Sequence, residues 1–349
     1  MTTETRLTGP AAVLPAWGAA GATWRSLTGG LINESLVVEH PRSGRFLLQR
    51  LNPIFAPEVN EDIDAVTRHL AAQGVLTPLL LRADDGRAWV EHEGAVWRAL
   101  SWIDGIALQR LPGAAAAEEA GAVLARFHVA VSGLKHSFRA RRLGVHDTPR
   151  HLARLREALD AHRHHARYGT IAPLAAAILA AADRLESLPA TPERIVHGDP
   201  KANNILFSAD GLRALCLVDL DTVAPMAIPL ELGDAFRSWC NPAGEEAAPA
   251  AFAVDLFAAG LKGYAGAAPD FLAAAEVAAI VPAILTISVE LAARFCADAL
   301  NENYFGWDPA RFQTRSHHNQ ARAASQLRSA ASLDAQRASA EAAVAAAFR

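Results

Sequence analysis

The residues best equipped for chemistry lie in Ile195-Val-His-Gly-Asp-Pro-Lys-Ala-Asn-Asn-Ile-Leu-Phe207 and in Leu217-Val-Asp-Leu-Asp-Thr-Val223. Asn204 stands five residues after Asp199, and Asp219 stands twenty after it. A short acid such as Asp199 can hydrogen bond a hydroxyl group and take its proton. Asn204 offers an amide oxygen and Asp219 a carboxylate, the ligands that a hard cation such as Mg²⁺ prefers. Asp221 adds a second acid to the metal side or to its surroundings. Lys201 places an ammonium two residues after Asp199, in reach of a group that gains negative charge. Phosphoryl transfer makes these demands: a hydroxyl held in line, and metal to neutralise the phosphates. His197 braces the loop by hydrogen bonds rather than doing chemistry. His-Gly-Asp alone is an ordinary surface turn; the added amide and the later acid make the set far less accidental.

Short apolar runs bounded by turn residues read as strands. Ile195-Val196, Ile205–Phe207 and a run ending at Asp219 frame the loop, with a turn at Asp210-Gly211 and Asp221 two residues on, pointing the same way along the strand. Earlier in the chain, Trp24–Ser26, Ser35–His40 and Arg45–Leu51 read as strands, the last two joined by Pro41-Arg-Ser-Gly44. Val59, Ile63, Val66 and Leu70 give helical spacing to Glu58–Gln73, which Gly74 stops. Leu79–Arg82, Arg87–His92 and Ala95–Ser101 are further strands between tight turns. The expected arrangement is an antiparallel five-stranded sheet with one helix after its third strand, broken at Trp102-Ile-Asp-Gly105. Helices then dominate: Ala114–Ser132, Arg150–His162, Pro173–Leu188, Leu232–Trp239, Ala250–Tyr264, Phe271–Leu300 with a break near Pro282, and Gln320–Phe348. Gly29-Gly30 falls between two strands, which argues against a Rossmann turn, and no Gly-x-x-x-x-Gly-Lys-[Ser/Thr] occurs.

The pattern His197-Gly-Asp-x-x-x-x-Asn204 followed by Asp219 resembles the catalytic loop of the protein kinase superfamily, with Gly198 where protein kinases carry Arg. In that respect it is similar to the aminoglycoside phosphotransferase and choline kinase branch. The resemblance implies an α+β, bilobal, protein-kinase-like fold. Residues 1–102 would form a nucleotide-binding lobe and residues 103–349 a mainly helical catalytic and substrate lobe. It also implies ATP and Mg²⁺ as cofactors. Gly29 and Gly30 would then cover the ATP phosphates with Asn33 as a polar contact, and Ser101 and Trp102 would lie at the hinge beside the nucleotide. Trp97 and Trp102 are candidates to flank adenine, or packing residues. One expected residue is missing: no lysine precedes Lys135, although kinases use a strand lysine on the α and β phosphates. Gln49 or Arg50 on the third strand stands in its place, and alternation lets only one of them face inward. Glu61 is the expected partner if Arg50 is the one.

A narrower resemblance follows. Phe46-Leu-Leu-Gln-Arg-Leu-Asn52, Asp64-Ala-Val-Thr-Arg-His-Leu70, Gly233-Asp-Ala-Phe-Arg237, Arg294-Phe-Cys-Ala-Asp298 and His318-Asn-Gln-Ala-Arg322 look like segments of N-acetylhexosamine 1-kinases. The resemblance implies a sugar acceptor phosphorylated at its anomeric hydroxyl. Asp199 would be the base, Arg294 and Tyr304 sugar contacts, and Asp234 and Arg237 the residues that shape the pocket. The spacing around Asn303-Tyr-Phe305 is contracted relative to that group. A kinase of another small hydroxyl compound is the alternative acceptor reading, and a nucleotide-binding pseudokinase the non-enzymatic one.

Bulk properties fit a folded enzyme of small substrates. A chain of 349 residues with 51% apolar residues can build two cores. A net charge of −4 offers nucleic acid or a membrane surface no attraction. No uninterrupted apolar run reaches the length of a membrane span, and the first residues lack an apolar signal segment. Three isolated cysteines fit a reducing, cytoplasmic setting. Only Lys135, Lys201 and Lys262 are lysines, so the basic residues are almost all arginine.

Overall fold

The computed structural model describes residues 9–27, 32–142, 144–244 and 250–349. Gly29 and Gly30 lie outside the described residues. The chain divides into two compact units, 1–104 with 133–141, and 105–132 with 142–349.

The first unit opens with a short helix α1 (Pro10–Val13), then β1 (Thr23–Ser26), β2 (Glu34–His40), β3 (Gly44–Arg50), α2 (Val59–Ala72), β4 (Leu80–Leu81), β5 (Val90–His92) and β6 (Ala95–Ser101). The antiparallel sheet runs β1-β2-β3-β6-β4, and the short β5 adds a sixth strand beside β6. Alternation along each strand sorts the side chains. Leu36 and Val38 of β2, Phe46 and Leu48 of β3, and Trp97 and Ala99 of β6 face a core closed by Val13, Leu14 and Trp17. The opposite face carries a polar row, because Ser35, Gln49 and Arg98 are register partners across three strands. Segment 133–141 is tied to α2 by one buried carboxylate. Asp62 accepts the backbone N–H groups of Arg139 and Ala140 and lies 2.7 Å from His136 Nε2.

The second unit contains β7 (Ile106–Ala107), α3 (Ala114–Val131), α4 (Thr148–Ala161), α5 (Tyr168–Ala182), β8 (Glu193–Val196), β9 (Ile205–Phe207), β10 (Ala214–Leu217) and β11 (Ala224–Ala227). Then come α6 (Ile228–Trp239), α7 (Val254–Ala267), α8 (Ala274–Ala278), α9 (Ile280–Asn301), α10 (Arg315–Ala335) and α11 (Arg337–Ala347). Two ribbons hold the loop of interest: β10-β9-β7 and β11-β8. α9 is central and packs on α4, α5, α6 and α10. It is long and apolar enough to cross a membrane by length and composition, yet 89% of its apolar window is buried within the fold. Gly233 lets α6 approach α9 closely; a Cβ there would meet the Ala283 carbonyl oxygen at 2.8 Å.

Several boundaries differ from the sequence reading. The break expected near Pro282 falls at Ala279, and Pro282 is the third residue of α9. A proline is tolerated in a first turn because its missing N–H would lack a helical partner there. The last helical pattern begins at Arg315, where the Thr314 side chain accepts from His317 N, and it divides at Gln336. α5 starts at Tyr168, with Pro173 inside it.

Candidate active site

The segment His197–Asn204 bridges the two ribbons. Val196 pairs with Ala224 on one side, and Ile205 pairs with Leu217 on the other. Residues Ala202–Asn204 form a single 3₁₀ turn, and Val218 N donates to the Asn204 carbonyl at 2.9 Å. His197 is fully buried, with Nε2 2.9 Å from the Val218 carbonyl, while its Nδ1 accepts from Asp199 N at 3.3 Å. Those partners set the proton on Nε2. Burial pushes the His197 imidazole below its ordinary value, so it is a neutral brace.

Gly198 has φ +85, and a Cβ there would lie 2.4 Å from the Thr222 carbonyl oxygen. Only glycine fits that backbone and that contact. Gly198→Ala is expected to lower unfolding free energy by about 2 kcal/mol, read as a lower urea midpoint with unchanged slope. An unchanged midpoint would mean that the loop relaxes freely.

Beneath the loop sits Glu231 of α6, fully buried. Its carboxylate accepts the N–H groups of His197 at 2.8 Å and Gly198 at 2.7 Å, and its Oε1 lies 3.3 Å from His128 Nε2. Burial works to raise this carboxyl; the hydrogen bond from His128 and the backbone N–H of Gly198 outweigh it and hold it below the usual range. Trp239 donates its indole N–H to the Pro200 carbonyl at 2.8 Å, and Thr222 Oγ1 donates to the His197 carbonyl at 2.9 Å. The sequence reading missed Glu231, His128, Thr222 and Trp239. A lone acid inside Ile228-Pro-Leu-Glu-Leu232 was the available signal for Glu231.

Asp199, Lys201 and Asn204 are brought together. Lys201 Nζ donates to Asp199 Oδ2 at 2.6 Å, and Asn204 Nδ2 donates to the same oxygen at 3.1 Å and to the Asp199 carbonyl at 2.8 Å. The Asp199 side chain remains 24% exposed. Burial works to raise its carboxyl, but the Lys201 ammonium overcomes this and holds it below the usual range, with Arg237 adding at longer reach. Lys201→Met removes the largest opposing charge, so the Asp199 carboxyl rises. The acid limb of the kcat/KM profile is expected to move to higher pH in that variant. A limb that stays in place would show that Lys201 does not set the ionisation.

Asn204 spends its amide nitrogen on Asp199, which leaves its oxygen for a cation. Asp219 caps the 3₁₀ turn Leu220–Thr222 from a left-handed backbone, φ 66 and ψ 60. Such a conformation is uncommon for a residue with a side chain and collects at functional sites. Asp219 is partly exposed, whereas Asp221 is buried. Asp221 belongs to the 3₁₀ turn and not to a strand, because β10 ends at Leu217. The donor set of one amide oxygen and one accessible carboxylate, with a second acid buried behind, suits a hard divalent cation.

Asp234 and Arg237 of α6 are paired at 2.8 Å, each side chain 7% exposed. Arg294 and Tyr304 line one pocket of about 540 Å³ in the helical unit. Arg142 Nη2 donates to the Tyr304 hydroxyl at 2.9 Å. Arg294 lies 3.7 Å from buried Glu290 and over the Phe305 ring. Asp298 fixes the turn that carries Tyr304 by accepting the N–H groups of Asn303, Tyr304 and Phe305.

In the sheet unit, Gln49 is buried and joined to Ser35 and Arg98, whose Nε and Nη2 donate to Gln49 Oε1 at 2.9 and 2.8 Å. Arg98 is also 3.4 Å from Asn60 Oδ1 at the start of α2. Arg50 lies on the other face, exposed, 3.8 Å from Glu34. The expected pairing of Arg50 with Glu61 is absent: Glu61 binds Arg82 at 3.0 Å, because alternation turns Arg50 away from the face that carries Gln49 and Arg98. The buried cation of this sheet is Arg98, which the sequence reading missed. Asn33 accepts from Asn52 N, Ser101 Oγ accepts from Leu79 N, and Trp102 donates to Asp104. Trp97 is a core residue.

The pattern of the phosphotransferase enzyme family matches residues 23–269. The chain belongs to that family. Helices α9 to α11, which carry Arg294 and the turn to Tyr304, lie beyond the matched stretch. The fold is shared with solved structures at low identity. An aminoglycoside phosphotransferase from Alicyclobacillus acidocaldarius superposes with TM-score 0.59 at 16% identity, over 99% of this chain and 97% of its own. Amicoumacin kinase in complex with AMP-PNP, Ca²⁺ and Ami gives 0.60 at 13% identity, over 91% of each chain. Choline kinase from Cryptosporidium parvum Iowa II gives 0.56 at 15% identity, over 90% of this chain and 91% of its own. The protein is thus a phosphotransferase-family chain with a kinase-like fold: an antiparallel sheet with one long helix, followed by a mainly helical unit.

Proposed function

We propose that this phosphotransferase is an ATP- and Mg²⁺-dependent small-molecule kinase that acts on the anomeric hydroxyl of a sugar, of the N-acetylhexosamine kind. The observation that carries the reading is the state of Asp199: ionised, partly exposed, and held by Lys201 and Asn204. A carboxylate so placed can orient the acceptor hydroxyl and receive its proton as the oxygen attacks phosphorus. Asn204 and Asp219 would hold the metal, with Asp221 behind them. Bound metal would neutralise the phosphate oxygens and supply charge stabilisation. Lys201 shares its ammonium between Asp199 and the transferring group. The complex of a related fold with AMP-PNP and Ca²⁺ supports a nucleotide and a divalent cation. On the nucleotide side the proposed residues are Gly29, Gly30, Asn33, Gln49, Ser101 and Trp102, with buried Arg98 behind Gln49 in place of the missing lysine.

For the acceptor, Arg294 and Tyr304 would contact the sugar, and Asp234 with Arg237 would shape the floor beside the loop. The pocket around Arg294 is rich in guanidinium groups, surroundings that suit an oxygen-rich neutral or anionic acceptor and repel ammonium compounds. The reading places the enzyme in the cytoplasm, with free sugars and ATP. An ADP-release assay over N-acetylhexosamines, other monosaccharides, choline, ethanolamine and aminoglycosides tests it. Turnover is expected with sugars. Turnover confined to the amino compounds would replace this reading with the alternative acceptor class, and ATP binding without transfer to any acceptor would favour a pseudokinase.

A further inference from the structure

Within the helical unit, four arginines line the pocket that holds Tyr304: Arg142, Arg150, Arg154 and Arg294. Three acids, Asp298, Glu290 and Glu157, stand on or behind its wall, and Arg294 has Glu290 at 3.7 Å. Asp298 is committed to three backbone N–H groups and to Asn319 Nδ2. Glu290, behind Arg294, is engaged by His146 Nδ1 at 3.0 Å and Thr148 Oγ1 at 2.7 Å. Glu157 is exposed at the rim. Arg142 is drawn to the Tyr304 hydroxyl. Arg150 and Arg154 stand one turn apart on α4, and among the described residues neither side chain has a carboxylate partner. Like charges at that spacing repel, and an anion bound between them would relieve that repulsion.

The other titratable groups lean the same way. Burial pushes the His151 imidazole below its ordinary value, and Arg294 and Arg154 push further, so His151 adds no charge of its own near neutrality. Burial works to raise the Tyr304 hydroxyl, yet Arg142 and Arg294 outweigh it and hold it below the ordinary phenol value. The walls therefore favour negative charge at the point where Tyr304 and the guanidinium groups converge.

We infer that this pocket binds an anionic group, a carboxylate or a phosphate, carried by the sugar-sized acceptor of the proposed kinase reaction. Guanidinium forks match both groups with paired N–H···O bonds, and the cavity of about 540 Å³ has room for a hexose with such a substituent. The inference rests on the acceptor reading given above and narrows it: the preferred substrate is an acidic sugar rather than a neutral one. A neutral sugar would leave Arg150 and Arg154 uncompensated in the complex.

The test compares N-acetylglucosamine with D-glucuronate and with N-acetylglucosamine 6-phosphate, using the full chain and the variants Arg154→Glu and Arg150→Glu. Both residues are exposed, so charge reversal at either spares the core. The wild type is expected to show a KM at least about tenfold lower for one anionic acceptor than for the neutral one. Reversal at Arg154 is expected to remove that preference, and the acceptor that loses most tells carboxylate from phosphate. Equal KM values in the wild type, or a preference untouched by both reversals, would overturn the inference. If no sugar is phosphorylated, isothermal titration of D-glucuronate and inorganic phosphate into the same three proteins reads the pocket alone. Binding that falls about tenfold or more on reversal keeps the anion site while the kinase reading fails. Binding that is absent, or indifferent to reversal, removes the anion site as well.

Discussion

Asp199→Asn is expected to lower kcat by about 10³-fold while ATP binding survives. The amide matches the carboxylate in shape, so the hydrogen bonds around it can re-form without disturbing the fold. What it loses is the capacity to accept a proton when the acceptor oxygen attacks. An interaction used mainly in the transition state shows as a fall in kcat and kcat/KM together. Lys201 also loses its ion pair in this variant, and its ammonium then turns to phosphate or solvent. A near-normal kcat, measured by ADP release at saturating acceptor, would mean that another group receives the proton. Nucleotide titration of the same variant separates chemistry from binding.

Glu231→Ala carries the second large effect, on stability and activity together. Two backbone N–H groups of the loop and an imidazole face that carboxylate in a fully buried place. Removal leaves buried donors without acceptors, at about 1–3 kcal/mol each. The expected loss of unfolding free energy is about 4 kcal/mol. Chemical denaturation measures it, and the activity of the remaining folded protein should fall because Asp199 is held by the same backbone. Glu231→Gln keeps one acceptor and sets an amide N–H₂ against the other donor, so it should lie between wild type and alanine. Equal stability of all three would deny that Glu231 anchors the loop.

What could be read from the sequence was local. The turn residues and short apolar runs around Asp199 place the strands, because a strand and its turn are specified within a dozen residues. The helical patterns fall where apolar spacing put them, with errors at proline and at Gln336, where only tertiary context decides whether a helix stops. Asp221 was misread as a strand residue because β10 ends early and the backbone turns left-handed at Asp219, which no propensity signals. Glu231 and His128 brace the loop from 33 and 69 residues away, and pairing over that separation leaves no spacing to recognise. Arg98 was overlooked for a related reason. A substitute for the missing lysine was sought on β3, whereas the buried cation stands on the neighbouring strand, visible only as Arg within Ala95–Ser101. The arginines of the pocket were hidden by composition: in a chain with three lysines, Arg142, Arg150 and Arg154 look like background.

The central claim is that the Asp199 loop directs phosphate to the anomeric oxygen of a sugar. Phosphorus and proton NMR of the product formed with ATP, Mg²⁺ and the best acceptor of the screen tests it most directly. The predicted spectrum couples the new phosphorus to the anomeric proton and contains no other phosphorylated position. Coupling to a proton at another carbon, or to an amino alcohol, would contradict the account.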